Sequence, residues 1–365
     1  MRNIVHLLLA LLCIALALMP ASAEETRKDL ILNKTADSIT LIDEVGRTVT
    51  VDLPVKKIVS SDYRAMEALL AIGAKDMIIG VDSNFHKQMP YFGLKDAAEV
   101  GIHAQEVNYE QILSLKPDIV IVPLSQGASA DEISSKLKGV PVIVMSISSR
   151  EVMIPQLEIM GQLLGKEEEA GKLIEWTQKY DKIVEERLKD RKTKDMPTFY
   201  YESMTDLGKK WLAITPLDYK AGKASEGCGG RNIAADLVIN TTSVQEDAEW
   251  VLSKNPDFII LDCMGGQMTG PGKTESDVQN NLTKTIESRA SEGFQNMTAV
   301  KNGHIYLLSR DFISGPRWVI GHICIAKWFH PDLFKDLSPE EINKEYLREF
   351  QGIELDGTWA YPPAK

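Results

Sequence analysis

The chain has 365 residues, of which 44% are hydrophobic and 25% charged, with 52 acidic against 41 basic side chains and a net charge of −11. An acidic balance without a basic stripe excludes a nucleic-acid binder, because neutralising phosphates takes clustered Lys and Arg. The length fits two domains, and the few, widely spaced cysteines exclude a disulfide framework: buried thiols are expected at Cys228, Cys263 and Cys324, with one bridge among them as the alternative.

The chain opens MRNIVHLLLALLCIALALMPASAEE, which joins Arg2, an apolar run from Ile4 to Met19 and a small-x-small Ala21-Ser22-Ala23. These are the three parts of a signal peptide over residues 1–23, so the protein is expected across the cytoplasmic membrane, in the periplasm or on the cell-surface side. Leu12 before Cys13 is too large for a lipoprotein cleavage site, and no later stretch is apolar over the roughly 20 residues a membrane span needs.

ITLIDEVGRTVTVDL alternates and turns at Gly46, which predicts a hairpin. KKIVSSD, DMIIGVD, PDIVIV and VPVIVMS then give four strands separated by helical patterns such as RAMEALLAIGA. Strands alternating with helices imply a doubly wound parallel sheet, here an α/β lobe over residues 39–150. In the segment 151–195, Leu173, Thr177, Tyr180, Val184 and Leu188 recur at three- and four-residue spacing among charged residues, predicting one helix from Lys166 to about Arg191. At about 1.5 Å per residue it spans on the order of 38 Å, enough to bridge two lobes. PTFYYES, DFIILD and GHIYLLS repeat the strand scheme in a second lobe over residues 196–350.

The halves also match directly. YEQILSLKPDIVIV (109–122) and AEWVLSKNPDFIIL (248–261) share Glu, Leu, Ser, Pro, Asp and Ile at a constant offset of 139. Each copy reads as a short helix, a Pro-Asp stop and a buried parallel strand. The fold class is α/β: two Rossmann-like lobes with parallel-rich sheets, joined by a long helix. Ligands in such sheets bind beyond the carboxyl ends of the strands, so the loops from Ser60, Asp82, Ser125, Ser203, Asp262 and Ser309 are the ones that matter. One of them, MGGQMTGPGKTES, ends in Gly-Lys-Thr but places its upstream glycine, Gly266, one residue too early for a phosphate loop; it reads as a flexible rim. EGCGGRN reads as a tight turn into a helix NIAADLV, whose N-terminus is an anion site.

DEVGRTVTVDLPVKKIVSSD, MEALLAIGAKDMIIGVD, the two Pro-Asp repeats, EGCGGRNIAAD and AVKNGHIYLLSRDFISGPRWVIGHICIAKWFHPDLF together resemble the periplasmic binding proteins whose two lobes are joined by a single long helix. Those proteins deliver iron-siderophore complexes, haem or cobalamin to ABC importers. The resemblance implies a ligand cleft between the lobes. It also implies that Glu110 and Glu249, one on each lobe, dock into arginine pockets of the permease dimer. A helix N-terminus favours an acidic residue on its own account by roughly 0.3–1 kcal/mol, so the paired placement carries the docking reading.

Within that frame the ligand-binding candidates are Tyr63, Arg64, His86, His103 and Gln126 on the first lobe and Trp211, Met264, Arg310, Arg317 and Trp318 on the second. Arg makes bidentate bonds to carboxylates or anionic chelates, and Trp and Tyr offer flat apolar area, a combination that fits an anionic metal chelate. Against this, Arg317 also suits a carboxylate pair, Trp211 and Trp318 suit a core, and isolated His86 and His103 lack metal-ligand spacing. The expectation is a monomeric, non-catalytic receptor for an iron chelate, with no resident cofactor or metal. The alternatives are cobalamin, haem or a molybdate-type oxyanion, and, in another class, an extracytoplasmic metal-chelate enzyme.

Overall fold

The computed structural model describes residues 30–102, 106–204, 211–216, 218, 221–237 and 241–362; residues 1–23, the expected signal peptide, and His103 lie outside them. The predicted hairpin is present as antiparallel strands Ser38–Ile42 and Thr48–Asp52, turned through Gly46 at φ +81°. Only a residue without a Cβ reaches that conformation freely. A third strand, Ile31–Lys34, pairs antiparallel with the first. Its mostly exposed ILNK carries no alternation, so no pattern announced it.

The first lobe holds a five-stranded parallel sheet in the order Val142–Val144, Ile119–Val122, Ile58–Ser60, Ile78–Val81, Ala98–Glu99. Its apolar runs are buried along their length, as a sheet covered on both faces requires. The chain moves outward from Ile58–Ser60 in one direction and then returns to its other side, so strand order reverses between Ile58–Ser60 and Ile119–Val122. Loops leaving these two carboxyl ends diverge and open a crevice.

The second lobe repeats this around a parallel core of Thr198–Ser203, Phe258–Cys263 and Ile305–Ser309, with its reversal between the first two. Antiparallel strands Leu212–Ile214, Ser243–Gln245 and Ala360–Tyr361 flank the core and make the sheet mixed. The internal repeat extends to hydrogen bonds. Asp118 Oδ2 accepts from the Lys56 and Lys57 N–H groups at 2.7 and 2.8 Å, and Asp257 Oδ2 accepts from the Thr198 N–H at 2.8 Å. In both lobes the aspartate after the helix stop therefore clips the start of the neighbouring strand.

Two helices connect the lobes, Arg150–Leu164 and Glu167–Leu188, separated by Gly165 at φ +63°. The predicted long helix thus ends three residues before Arg191, and its 22 residues span about 33 Å. Its buried side runs through Ala170, Leu173, Trp176, Thr177, Tyr180, Val184 and Leu188. Trp176 Nε1 and the Tyr180 hydroxyl each donate to Glu345 at 2.8 Å, which ties this connector to the helix Pro339–Phe350. One apolar cluster passes through Ile58, Ile121, Leu173, Tyr201, Ile260 and Trp318, so the inner layers of both lobes and the connector form one continuous core.

The segment EGCGGRNIAADLV departs from expectation. Gly222–Gly227 is itself a helix, and NIAADLV supplies the short strand Arg231–Asn232 and one 3-10 turn, Ile233–Asp236, so no helix N-terminus is offered to an anion. The glycine requirement is close packing: a Cβ on Gly230 would lie 2.6 Å from Phe199 Cδ1 and collide with Phe329. Cys228, Cys263 and Cys324 are free and buried, as thiols were expected to be.

Candidate ligand cleft and docking surface

Tyr63 opens the helix Tyr63–Ala71 directly after the strand Ile58–Ser60. Asp62 caps that helix, accepting from the Arg64 and Ala65 N–H groups at 2.8 and 2.9 Å. This holds the Tyr63 ring at the carboxyl edge of the first sheet, where its hydroxyl lies 3.5 Å from Ser314 Oγ of the second lobe. Beside it, the Gly315 N–H donates to the Ile147 carbonyl at 3.0 Å, and a Cβ on Gly315 would lie 3.3 Å from Arg64 Cγ. The carboxyl edges of the two sheets therefore meet at these contacts.

Each topological reversal carries a polar clasp at this edge. On the first lobe Ser61 Oγ donates to Gln126 Oε1 at 3.1 Å. On the second, Ser203 Oγ lies 3.3 Å from Asp262 Oδ1, and the Arg310 guanidinium donates to both side chains, with Met264 Sδ 3.9 Å from its Nη1. Arg64 Nη2 donates to Asp62 Oδ2 at 2.9 Å, and the guanidinium sits 4.8 Å from the Tyr63 ring centroid. Burial by itself lowers the pKa of Arg64 and of Arg310, but the facing carboxylates and Tyr63 outweigh it and both stay charged. Burial pushes the Asp262 carboxyl above its ordinary value even with Arg310 against it.

Of the predicted ligand residues, Tyr63, Arg64, Gln126, Met264 and Arg310 are gathered here. Four others are elsewhere. Arg317 has no solvent exposure; its Nε donates to Glu67 Oε1 at 2.7 Å and its Nη2 to Oε2 at 3.3 Å, across the lobe boundary. Trp318 starts a helix, Trp318–Phe329, that is buried on every side, and its Nε1 lies 3.1 Å from Met153 Sδ. Trp211 donates to Glu292 inside the second lobe under the Arg289 guanidinium, 4.8 Å from its ring centroid. His86 is held by the Leu94 carbonyl at 2.8 Å and Glu99 at 3.2 Å, a local brace. Among the described residues no cluster of three metal-ligating side chains occurs.

The Gly-Lys-Thr loop is not a loose rim. Gly270–Pro271 pairs antiparallel with Gly357–Thr358, and Thr274 caps the helix Glu275–Ser288 in a reciprocal box with Asp277. Its threonine is spent on a helix start rather than on a phosphate. A groove of about 680 Å³ beside Leu41, Val144 and Pro155 shares none of the gathered residues.

Glu110 and Glu249 occupy matching places in the two lobes. Asn108 Oδ1 accepts from the Gln111 N–H at 3.0 Å and Asp247 Oδ1 from the Trp250 N–H at 2.7 Å, starting the helices Tyr109–Leu115 and Ala248–Lys254. Both helices end on a left-handed residue, Lys116 at φ +52° and Asn255 at φ +42°. Each runs back against the strand it feeds, so each glutamate stands at the edge from which the cleft opens. Both are exposed. Both carry their charge at a helix N-terminus, where the dipole favours it.

The periplasmic binding protein family matches residues 58–311. The chain belongs to that family. It is a substrate-binding protein of the ABC-importer type, and its α/β fold with parallel-rich sheets is that of the family. An uncharacterized ABC transporter substrate-binding lipoprotein YvrC of Bacillus subtilis is 28% identical over 82% of this chain and 87% of its own. The molybdate-binding protein MolA of Haemophilus influenzae is 22% identical over 86% of this chain and 91% of its own. Among solved structures, the TroA-like periplasmic binding protein FepB of Veillonella parvula superposes with a TM-score of 0.73 at 24% identity, covering 88% of this chain and 98% of that one.

The ligand candidates read from the sequence did not include Ser61, Ser203 and Ser314, although Ser61 directly follows a strand and Ser203, which ends one, was already marked as the start of a strand-end loop. Nor did they include Val45 and Leu124, which stand 39% and 43% exposed beside one another. Val45 belongs to a hairpin turn, outside the strand-end rule altogether.

Proposed function

We propose that this protein is a non-catalytic receptor that captures a siderophore-type metal chelate between two lobes, 39–150 and 196–350 joined by 151–195, and presents it to a permease dimer through Glu110 and Glu249. The observation that carries the reading is the meeting of Tyr63 with Ser314 and of Arg64 with Gly315, because it sets the two duplicated strand-end crevices against each other, as a shared cleft requires. The two glutamates, placed by the same helix-cap geometry on the cleft-opening edge of each lobe, support the hand-over. The iron(3+)-hydroxamate-binding protein FhuD of Bacillus subtilis, 25% identical over 81% of this chain, supports the ligand class; the cobalamin-binding protein of Halobacterium salinarum, 24% identical over 80%, keeps a corrinoid as the second reading. Secretion by the leader 1–23 and action as a monomer belong to this proposal.

The test is the double variant Glu110→Lys/Glu249→Lys in a transport assay with ferric chelates, beside a titration of the purified variant. Transport falls to background while affinity for the chelate stays at the wild-type value. Undiminished uptake by the double variant removes the docking assignment.

A further inference from the structure

Both arginines of the cleft are already held by buried carboxylates. Arg64 is paired with Asp62, whose side chain has no exposure and is fixed by its two helix-capping hydrogen bonds. Arg310 is paired with Asp262, whose side chain is 2% exposed and is bonded to Ser203. Neither carboxylate is free to swing into solvent when a ligand arrives. Among the described residues both guanidinium groups at the strand ends are thus already compensated. An anionic ligand would have to share each guanidinium with a desolvated carboxylate, bringing like charges together where water does not screen them.

A second observation concerns size and polarity. Three large apolar side chains stand exposed among the described residues, and two of them, Val45 and Leu124, are at this edge. They are brought together over Gly127, where a Cβ would lie 2.6 Å from Val45 Cγ1 and 3.9 Å from Leu124 Cδ1. The Asp43–Gly46 turn that carries Val45 is anchored at the carboxyl end of the strand Val142–Val144, since the Glu44 N–H donates to the Val144 carbonyl at 3.1 Å and Glu44 accepts from the Ser146 N–H at 2.8 Å. An apolar ledge therefore stands at the carboxyl edge of the first-lobe sheet, with Leu124 two residues from Gln126. A small hydrated oxyanion has no use for such a ledge, whereas the rim of a bulky chelate or macrocycle loses water against it.

We infer that the cleft selects a bulky metal complex of zero or positive net charge with an apolar periphery, and discriminates against small oxyanions and polyanionic chelates. This rests on the chelate-capture reading and narrows it: the anionic chelate expected from the presence of two arginines is replaced by a neutral or cationic one, because both guanidinium groups are engaged.

The experiment is an equilibrium titration, followed by intrinsic tryptophan fluorescence, of the full chain and of Asp62→Asn/Asp262→Asn with four probes: a cationic ferric trihydroxamate, neutral cyanocobalamin, a polyanionic ferric tris-catecholate and molybdate. The wild type binds one of the first two at least about tenfold more tightly than either anion, the equivalent of one pKa unit of differential interaction. The double variant, which frees the guanidinium groups, narrows that ratio by about tenfold or more through a gain for the tris-catecholate. Leu124→Ser, on the exposed ledge, weakens the accepted probe and leaves molybdate unchanged. Tighter wild-type binding of either anion than of both other probes overturns the charge selection alone, as does an unchanged ratio in an Asn variant whose circular dichroism is native. Binding of no probe by either folded protein removes the chelate-capture reading and the selection with it.

Discussion

The Arg317–Glu67 pair gives the sharpest test of how the lobes are held together. Arg317 begins the helix Trp318–Phe329 and Glu67 lies on the helix Tyr63–Ala71, so the pair spans the lobe boundary with both side chains at 2% exposure or less. Replacing Arg317 by Met leaves the Glu67 carboxylate buried without its counter-ion, a loss worth about 3–5 kcal/mol. With an unfolding entropy of about 2.1 cal/mol/K per residue over roughly 330 residues, that is a fall in Tm of about 4–7 °C. Burial already holds the Glu67 carboxyl above its ordinary value against the opposing pull of Arg317. Without Arg317 it rises further, and the folded state then keeps a proton that the unfolded state releases. The destabilisation is therefore larger at pH 8 than at pH 5, shrinking as the pH falls toward the unfolded carboxyl value. Glu67→Leu/Arg317→Met removes the pair, leaving only Asp311, 3.8 Å from Arg317 Nη2 in the wild type, without this cation, and recovers part of the lost stability. Thermal and urea unfolding of the three proteins at two pH values decides it: a single variant as stable as wild type, or no recovery in the double, refutes the claim that this pair locks the lobes.

Other consequences follow from burial. His322 is packed edge-on to Trp318 with ring centroids 4.5 Å apart, and burial, helped by the field of Arg150, drops its pKa to about 3. The unfolded chain takes up a proton near pH 6.5 that the folded protein refuses, so this residue makes stability fall by about 2 kcal/mol between pH 7 and pH 5; His322→Gln loses that component of the slope in urea titrations. Gly230→Ala forces a Cβ against Phe199 and Phe329 and lowers stability by about 1–3 kcal/mol, whereas Gly272→Ala, with open space around it, shows only the smaller backbone cost of a positive φ. The three thiols are buried, with Cys263 pushed up to about 12 chiefly by burial, so an aromatic disulfide reagent labels none of them in the native protein and all three on unfolding in urea. Because one core runs through both lobes, small-angle scattering changes little on ligand addition; a marked compaction contradicts that rigidity.

Local rules made the parallel strands legible. Ile119–Val122 and Phe258–Cys263 are uninterrupted apolar runs after Pro-Asp stops, and a strand buried on both faces has no other composition available. The connector was equally plain, because its stripe of Leu173, Tyr180 and Val184 survives an overwhelmingly charged background. The short antiparallel strands Leu212–Ile214 and Ser243–Gln245 were not, since three residues are too few for a period to register. Adjacency to a strand end picked out Tyr63, Arg64, Gln126, Met264 and Arg310, which the fold gathers at the facing sheet edges. The same rule pointed at Arg317 and Trp318, which follow Ile305–Ser309 by eight and nine residues, beyond the 3-10 turn Arg310–Phe312 that redirects the chain into the core. Sequence proximity to a strand end is a useful guide only until the first turn.

The pairing of Arg317 with Glu67 and of Arg310 with Asp262 has a common logic that distance along the chain hides. Seven residues apart, the two arginines serve opposite ends of one problem: the first fixes how the lobes sit, the second shapes what lies between them. A receptor whose lobes share a core has no large closure with which to create its site, so the site has to exist beforehand, with its charges already compensated while it is empty. Leaving guanidinium groups bare in a narrow cleft would carry a desolvation cost that only a bound anion relieves. Supplying carboxylates from Asp62 and Asp262 removes that cost in the unliganded protein, and on the proposal above the same compensation disfavours anions. Rigidity of the frame and charge selectivity of the cleft are in this sense one property, set by where the buried acids of each lobe were placed.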